Sequence, residues 1–262
     1  MRKSARKSMK ILLFDIGNTA ATYAIYESGR VLSFGSVKND RIPKYAYKIA
    51  NSGTKSQLNV VVCSVVPKLT SKLCMSINRL NNIKIWVAGK NLPVKVRHKY
   101  LNGNKLGIDR LVNAYGAIRI YKPPIVIFDF GTAITVDYIS TKGIFEGGMI
   151  IPGPKISFNA LLEKTALIPK NLPFPRQSKG LIGRSTYDGL SAGILEGWGA
   201  LADGLVHRFK QESGHNPRVI ATGGYAETLK PYMHKIDIVD PRHSMKSLLI
   251  LFKDFVTGKK VR

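Results

Sequence analysis

The sequence predicts an α/β fold built as two similar halves facing one cleft, and three observations predict it. The run Ile11-Leu-Leu-Phe-Asp15-Ile-Gly17-Asn18-Thr19 recurs as Ile125-Val-Ile-Phe-Asp129-Phe-Gly131-Thr132, and each Asp is followed fourteen positions on by a further glycine, Gly29 or Gly143. An apolar run ending in Asp-x-Gly-Asn/Thr reads as a buried strand that delivers a carboxylate and then turns tightly. The residues after each turn, Thr22–Ile25 and Thr135–Ile139, are β-prone, so each copy reads as a β-hairpin. Finally, strand-like runs alternate with helix-like stretches along the chain. One Asp-x-Gly turn is commonplace, because Asp bonds to its own following backbone and Gly accepts unusual φ. Two at matched spacing suggest turn amides aimed at phosphate and carboxylates holding a cation, which is how a nucleotide is bound between paired halves.

In order, strands are expected at Lys10–Asp15, Asn59–Val66, Ile83–Val87, Ile125–Asp129, Arg218–Ala221 and Ile236–Val239. Pro67–Leu80 reads as a helix, with proline in the first turn and Leu69, Leu73, Ile77 and Leu80 on one face. Ile108–Tyr121 reads likewise through Leu111, Val112, Tyr115 and Ile118. The longest helix is expected within Thr186–Ser213, where Leu190, Ile194, Leu195, Trp198, Leu201, Leu205 and Phe209 recur at three- and four-residue steps. Its Gly189, Ala192, Gly193, Gly197, Gly199, Ala200 and Gly204 are mostly poor helix formers, which suits close approach of another helix, as across a dimer. Pro152–Lys179 is proline-rich and reads as a long irregular connection beside the cleft. The segment Phe145–Gly153 reads as a Gly-Gly turn followed by a Pro-Gly turn.

The chain has 262 residues, 44% hydrophobic, enough for two modest domains whose boundary falls within 90–125. No apolar stretch approaches eighteen residues, so no membrane span is expected. Met1–Met9 is basic without an apolar signal core and reads as a disordered tail. Cys63 and Cys74 match no metal or redox spacing, and the five histidines share no ligand spacing, so a reduced cytoplasmic protein is the simplest reading. Lys and Arg number 41 against 16 Asp and Glu, a net charge of +25. That excess raises nucleic acid as a partner. The cations are scattered, however, and no zinc-finger, RNP-type or helix-turn-helix pattern accompanies them, so nucleic acid is not expected as the principal partner.

Leu106-Gly107-Ile108-Asp109-Arg110 opens the second helix. Asp109 reads equally as a group favoured by the helix dipole or as a base towards a hydroxyl, with Arg110 binding an anion. Thr222-Gly223-Gly224 follows a strand and lets backbone approach a flat ligand closely, though the tripeptide alone is weak. Ser185-Thr186 before the longest helix reads as an N-cap or as a substrate hydroxyl at a cleft edge. Serine nucleophile elbows and the Walker P-loop signature are absent.

Five motifs in this order, Asp15-Ile-Gly-Asn-Thr19, Gly107-Ile-Asp-Arg110, Asp129-Phe-Gly-Thr-Ala-Ile-Thr-Val-Asp137, Gly147-Gly-Met-Ile-Ile-Pro-Gly153 and Thr222-Gly-Gly224, resemble those of type III pantothenate kinases. The likeness runs from about Met9 to Leu229. It implies the duplicated actin-like ATPase fold, two ribonuclease H-like halves about a nucleotide cleft. Residues 10–115 would be the phosphate-binding half, and 116–262 the half with the second hairpin, adenosine site and dimer helix. Asp15, Ile16, Gly17, Asn18, Thr19, Ala20, Ala21 and Thr22 would bind the ATP phosphates, with Asp15 near Mg2+. Thr132 would touch ATP from the second hairpin, and Thr222, Gly223 and Gly224 would line the adenosine. Asp129 would hold a monovalent cation, K+ or NH4+. Tyr100, Gly107, Ile108, Asp109, Arg110 and Thr186 would line the pantothenate pocket, with Asp109 the catalytic base.

The resemblance therefore implies a cytoplasmic, homodimeric kinase that phosphorylates pantothenate with ATP at the first step of coenzyme A biosynthesis. Two other readings compete with it. One is a transcriptional accessory regulator derived from the family, for which the charge is suited. The other is a kinase of the same superfamily acting on a different small molecule.

Overall fold

The computed structural model describes residues 9–51 and 57–259, so all but Met9 of the expected basic tail lies outside the described residues. The chain divides into two compact units, unit 1 (Met1–Lys95, Lys105–Gly116, Ser244–Arg262) and unit 2 (Val96–Asn104, Ala117–His243).

Unit 1 contains strands β1 (Lys10–Ile16), β2 (Ala20–Glu27), β3 (Arg30–Lys38), β4 (Leu58–Ser64) and β5 (Ile83–Val87), in sheet order β3-β2-β1-β4-β5. The hairpin strands are antiparallel, while β1, β4 and β5 run parallel. Leu12, Phe14 and Ile16 alternate onto one face with Val60 and Val62. There they meet Ile42 and Ala46 of α1 (Ile42–Ala50) and Leu73 and Ile77 of α2 (Pro67–Ile77). The same alternation sends Asp15 to the opposite face. On that face Leu13, Val61 and Trp86 are register neighbours, and Trp86 meets Phe252 and Phe255 at 5.8 and 5.3 Å between ring centroids. Those phenylalanines belong to the last helix.

Unit 2 repeats the plan. Its strands β6 (Ile125–Phe130), β7 (Ala133–Ile139), β8 (Phe145–Pro152), β9 (Arg218–Thr222) and β10 (Ile238–Val239) form a sheet in order β10-β9-β6-β7-β8, the unit 1 order strand for strand. Phe128, Phe130, Val136 and Ala221 face a core completed by Phe158 and Leu162 of α4 (Pro154–Lys164) and Ile194, Leu195, Ala202 and Val206 of α5 (Thr186–Ser213). Asp129, like Asp15, lies on the other face. Helix α3 (Ile108–Ile120) begins in unit 1 and ends in unit 2; α6 (Ala226–Leu229) is a single turn, and α7 (His243–Thr257) closes the chain.

Several expectations are corrected. Pro152–Lys179 is not irregular throughout, because α4 occupies its first part; Pro154 stands at the first helical turn, where its missing N–H costs nothing. Phe145–Gly153 is not a pair of turns. It is strand β8, with a register irregularity opposite Tyr138 and Ile139 that falls beside the Gly-Gly pair. Unit 1 is discontinuous in sequence. Helix α7 joins unit 1 through the Trp86 contacts and a buried hydrogen bond from the Tyr115 hydroxyl to Asp254 Oδ2 (3.0 Å).

Candidate active site

The first turn is closed by the Gly17 amide donating to Ala20 O at 3.1 Å. Asp15 is half-buried at the strand end, Ile16 and Ala21 are buried, and Gly17, Ala20 and Thr22 are half-buried. Asn18 and Thr19, at the tip, are exposed. A residue outside the motif holds this turn. The Asn39 amide donates to both Gly17 O and Asn18 O at 3.0 Å, fixing two carbonyls on one side of the turn. Asn39 follows β3, twenty-two residues from Gly17, and sequence reasoning missed it. The chain shows no local signal for it beyond an Asn-Asp pair before a helix.

The second turn is supported by backbone. Gly153 N donates to Thr132 O at 3.1 Å, and a Cβ at Gly153 would lie 2.2 Å from that oxygen, so only glycine permits the approach. Thr132 is thereby held exposed at the tip. Asp129 is half-buried and register-paired with Thr222 on β9, so the two side chains leave the same face of neighbouring strands. Gly223 has φ +93°, and a Cβ there would meet Asp129 Oδ1 at 2.5 Å. The Gly223 backbone is thus pressed against the carboxylate. Thr222 is fully buried and its hydroxyl has no hydrogen-bond partner among the described residues. Gly224 is exposed, with open space where a side chain would stand.

Asp109 is the second residue of α3, so the N-cap position itself falls to Gly107. Its Oδ1 accepts from the Arg110 amide at 2.9 Å and lies against Gly107, where a Cβ would come within 2.5 Å. The carboxylate satisfies one free amide of the helix start and remains half-buried with its second oxygen available for chemistry. Ile108 is half-buried. Arg110 is buried, 5% exposed, because it falls on the inward side of the helix. Tyr100 belongs to unit 2 and is half-buried, just after a segment that extends the sheet beyond β8: Phe145 N donates to Arg97 O and Lys99 N to Phe145 O, each at 2.9 Å. Lys99 Nζ lies 2.8 Å from Glu146, and that hydrogen bond holds the Glu146 carboxyl below its ordinary range.

At the start of α5 the cap is Ser185, whose Oγ accepts from the Asp188 amide at 3.1 Å and donates to Asp188 Oδ2 at 2.9 Å. Lys179, 3.1 Å from Asp188, together with Ser185 holds that carboxyl below its ordinary range. Thr186 is therefore not needed as a cap, and its exposed hydroxyl stands at the rim of an apolar groove of about 550 Å³ lined by α4 and α5. Gly189, Gly193 and Gly197 line that groove, and a Cβ on any of them would meet nothing within 4 Å, whereas Gly199 packs inside the chain against Tyr232. No group of three or more His, Cys, Asp or Glu residues positioned for a metal occurs among the described residues. No helix among them is long and apolar enough to cross a membrane.

A solved Campylobacter jejuni protein assigned to the Baf transcriptional-activator family is similar at TM-score 0.59 and 21% identity, over 94% of this chain and 99% of that one. MreB5 of Spiroplasma citri, solved bound to ADP, is similar at TM-score 0.54 and 10% identity, over 95% and 98%. At these identities the likeness shows the fold alone, the duplicated actin-like ATPase fold. A type III pantothenate kinase of Bacillus cytotoxicus is 34% identical over 252 residues, 93% of this chain and 95% of the relative. The type III pantothenate kinase family model matches residues 11–208, and the chain belongs to that family.

Proposed function

We propose that the activity of this family, ATP-dependent phosphorylation of pantothenate in coenzyme A biosynthesis, is performed here with Asp109 as the base. The observation that carries the assignment of roles is the doubled Asp-x-Gly hairpin, each copy held from behind by a different device. The hairpin from Asp15 to Thr22 would take the phosphates at its exposed tip, Asn18 and Thr19, and Thr132 would meet them on the second turn. Pantothenate would lie by Tyr100, Gly107–Arg110 and Thr186. Asp109 would accept the proton of the attacking hydroxyl through the oxygen that Arg110 does not occupy. Arg110, buried behind it, would place positive charge near the developing phosphoryl charge. Catalysis is then positioning and charge neutralisation rather than covalent chemistry.

Two ions belong to this reading. The half-buried carboxylate of Asp15 suits Mg2+, which keeps waters and substrate phosphates as its remaining ligands. At Asp129 the orphaned Thr222 hydroxyl offers an uncharged oxygen donor beside one carboxylate, a pair that suits K+ or NH4+. Such an ion would supply fixed positive charge there. The glycine face of α5 supports a homodimer formed through that helix, and Cys63 and Cys74, neither in a disulfide, support a cytoplasmic site.

Radiolabelled pantothenate with purified protein, ATP, Mg2+ and K+ tests the assignment. Labelled phosphopantothenate is expected; its absence with protein shown to be folded would overturn it.

A further inference from the structure

The cations are spread along the chain, but the carboxylates are not. From Ser28 to Ile108 there are fifteen Lys and Arg and a single carboxylate, Asp40. By unit the asymmetry is as plain: unit 1 has twenty-four Lys and Arg against five Asp and Glu, and unit 2 seventeen against eleven.

The fold gathers part of this excess on one surface. Helices α1 and α2 pack side by side, with Ser76 Oγ donating to Pro43 O at 3.3 Å, and both press their apolar stripes on the sheet. Their outward stripes are what remains: Lys44, Tyr47 and Lys48 on α1, Lys68, Lys72 and Met75 on α2, all exposed. Arg41 and Arg79, also exposed, extend the surface at the helix ends. Neither helix contains an acidic residue, and none of these six cations is in an ion pair with a described residue. Along each helix the paired lysines are one turn apart, about 6 Å. The helices themselves are about 8–10 Å apart.

We propose that this α1–α2 face binds a single strand of polynucleotide, in addition to the kinase reaction. Unpartnered cations one helical turn apart match the spacing of successive phosphodiesters, and their association is driven by release of counterions. Tyr47, 44% exposed among the lysines, gives an unpaired base a ring to stack on, which a duplex could not use. An anionic membrane is the weaker match. A membrane-surface helix needs a free apolar face, and here both apolar faces are already spent on the sheet.

The test uses the full chain and a fluorescein-labelled twenty-nucleotide oligouridylate, followed by anisotropy across a potassium chloride series. If all six cations contact phosphate, the slope of log affinity against log salt is about −4. The exposed quadruple substitution Lys44→Gln, Lys48→Gln, Lys68→Gln and Lys72→Gln should lower affinity at least about tenfold and reduce the slope by about 3. Pantothenate phosphorylation should be unchanged, which also reports an intact fold. A matched control on unit 2, Lys122→Gln, Lys142→Gln, Lys230→Gln and Lys235→Gln, removes the same charge and should cost less than about threefold. Tyr47→Ser should weaken the oligouridylate by about fivefold or more. Equal losses in the two quadruple variants would overturn the proposal. So would binding no tighter than about 10⁻⁴ M at 50 mM salt, or tighter binding to a twenty-base-pair duplex or to phosphatidylserine vesicles.

Discussion

The two hairpins share a strand plan and differ in what stands behind the turn. In unit 1 the turn carbonyls are tied down by a side chain, Asn39, donated from beyond the third strand. In unit 2 the same job falls to backbone, with Gly153 against Thr132 and Gly223 against Asp129. A side-chain tie can be lost while the backbone stays where it is. A backbone contact leaves no room for any Cβ and so fixes the turn more rigidly. The difference teaches that a duplicated motif is one solution to delivering a carboxylate and a turn, and that each half has since been braced separately.

The largest expected effect tests whether the base lies outside both hairpins. Asp109→Asn should reduce kcat by about 10²–10⁴-fold, while ATP affinity, held by the turns, changes little. Retention of more than about a tenth of the activity would leave Asp109 as a helix-start group only. Next, Thr222→Val keeps the shape and deletes the orphan hydroxyl. The potassium concentration for half-activation should rise about 10–100-fold, by analogy with other groups supporting an ion site, with sodium a poor replacement. An unchanged potassium dependence would separate Thr222 from the ion.

Thermal unfolding then compares the braces directly. Gly153 has ordinary φ and ψ, −74° and 164°, so Gly153→Ala should act through the Thr132 clash alone. A cost of about 1–3 kcal/mol is expected. At Gly17 the nearest atom to an added Cβ is Ala20 O at 3.4 Å, an ordinary contact, so Gly17→Ala should cost less than about 1 kcal/mol. If the two substitutions cost the same, the second turn is not the more rigid. Asn39→Ala removes two hydrogen bonds, each worth about 0.5–1.5 kcal/mol, and should raise the KM for ATP about tenfold with a smaller change in kcat.

The smallest effect is a pH dependence in unit 2. The Lys99 hydrogen bond depresses the folded-state pKa of Glu146, so its contribution is present above the ordinary carboxylate range and is lost as pH falls through the depressed value. Lys99→Met should therefore lower thermal stability slightly at pH 6, by less than about 1 kcal/mol for so exposed a pair. The gap from the parent protein should close as the pH falls below the ordinary carboxylate range.

Much of this architecture was legible in the chain. Alternation in Leu12-Leu13-Phe14-Asp15 and Ile127-Phe128-Asp129 places the phenylalanines in the cores and the carboxylates on the opposite faces, as the period of a strand demands. The third strand of each half was harder, because an edge strand need not be apolar: Leu32 is 57% exposed and Ile150 65% exposed. Helix α4 was hidden by prolines that mark its boundary rather than forbid it. Helix α7 went unread, although Met245, Leu248, Leu251 and Phe252, all buried, recur at helical steps; which unit that face joins is not encoded locally. At the site, Asp109 reads equally as cap or base in the sequence, and the structure adds that its carboxylate lies against Gly107. Asn39 and the burial of Arg110 depend on contacts or packing that no local pattern encodes.

That the last helix belongs to unit 1 has a consequence for the order in which the protein is made. Unit 2 is nearly continuous in sequence, from Ala117 to His243, and its sheet and helices are complete once that stretch has left the ribosome. Unit 1 starts first and finishes last: Trp86 waits for Phe252, and Tyr115 for Asp254. At about 5–20 residues per second, the stretch between the early strands and α7 takes on the order of ten seconds to translate. Through that interval the face of the first sheet that carries Trp86 lacks α7, in a nascent chain whose excess of lysines favours solubility by mutual repulsion.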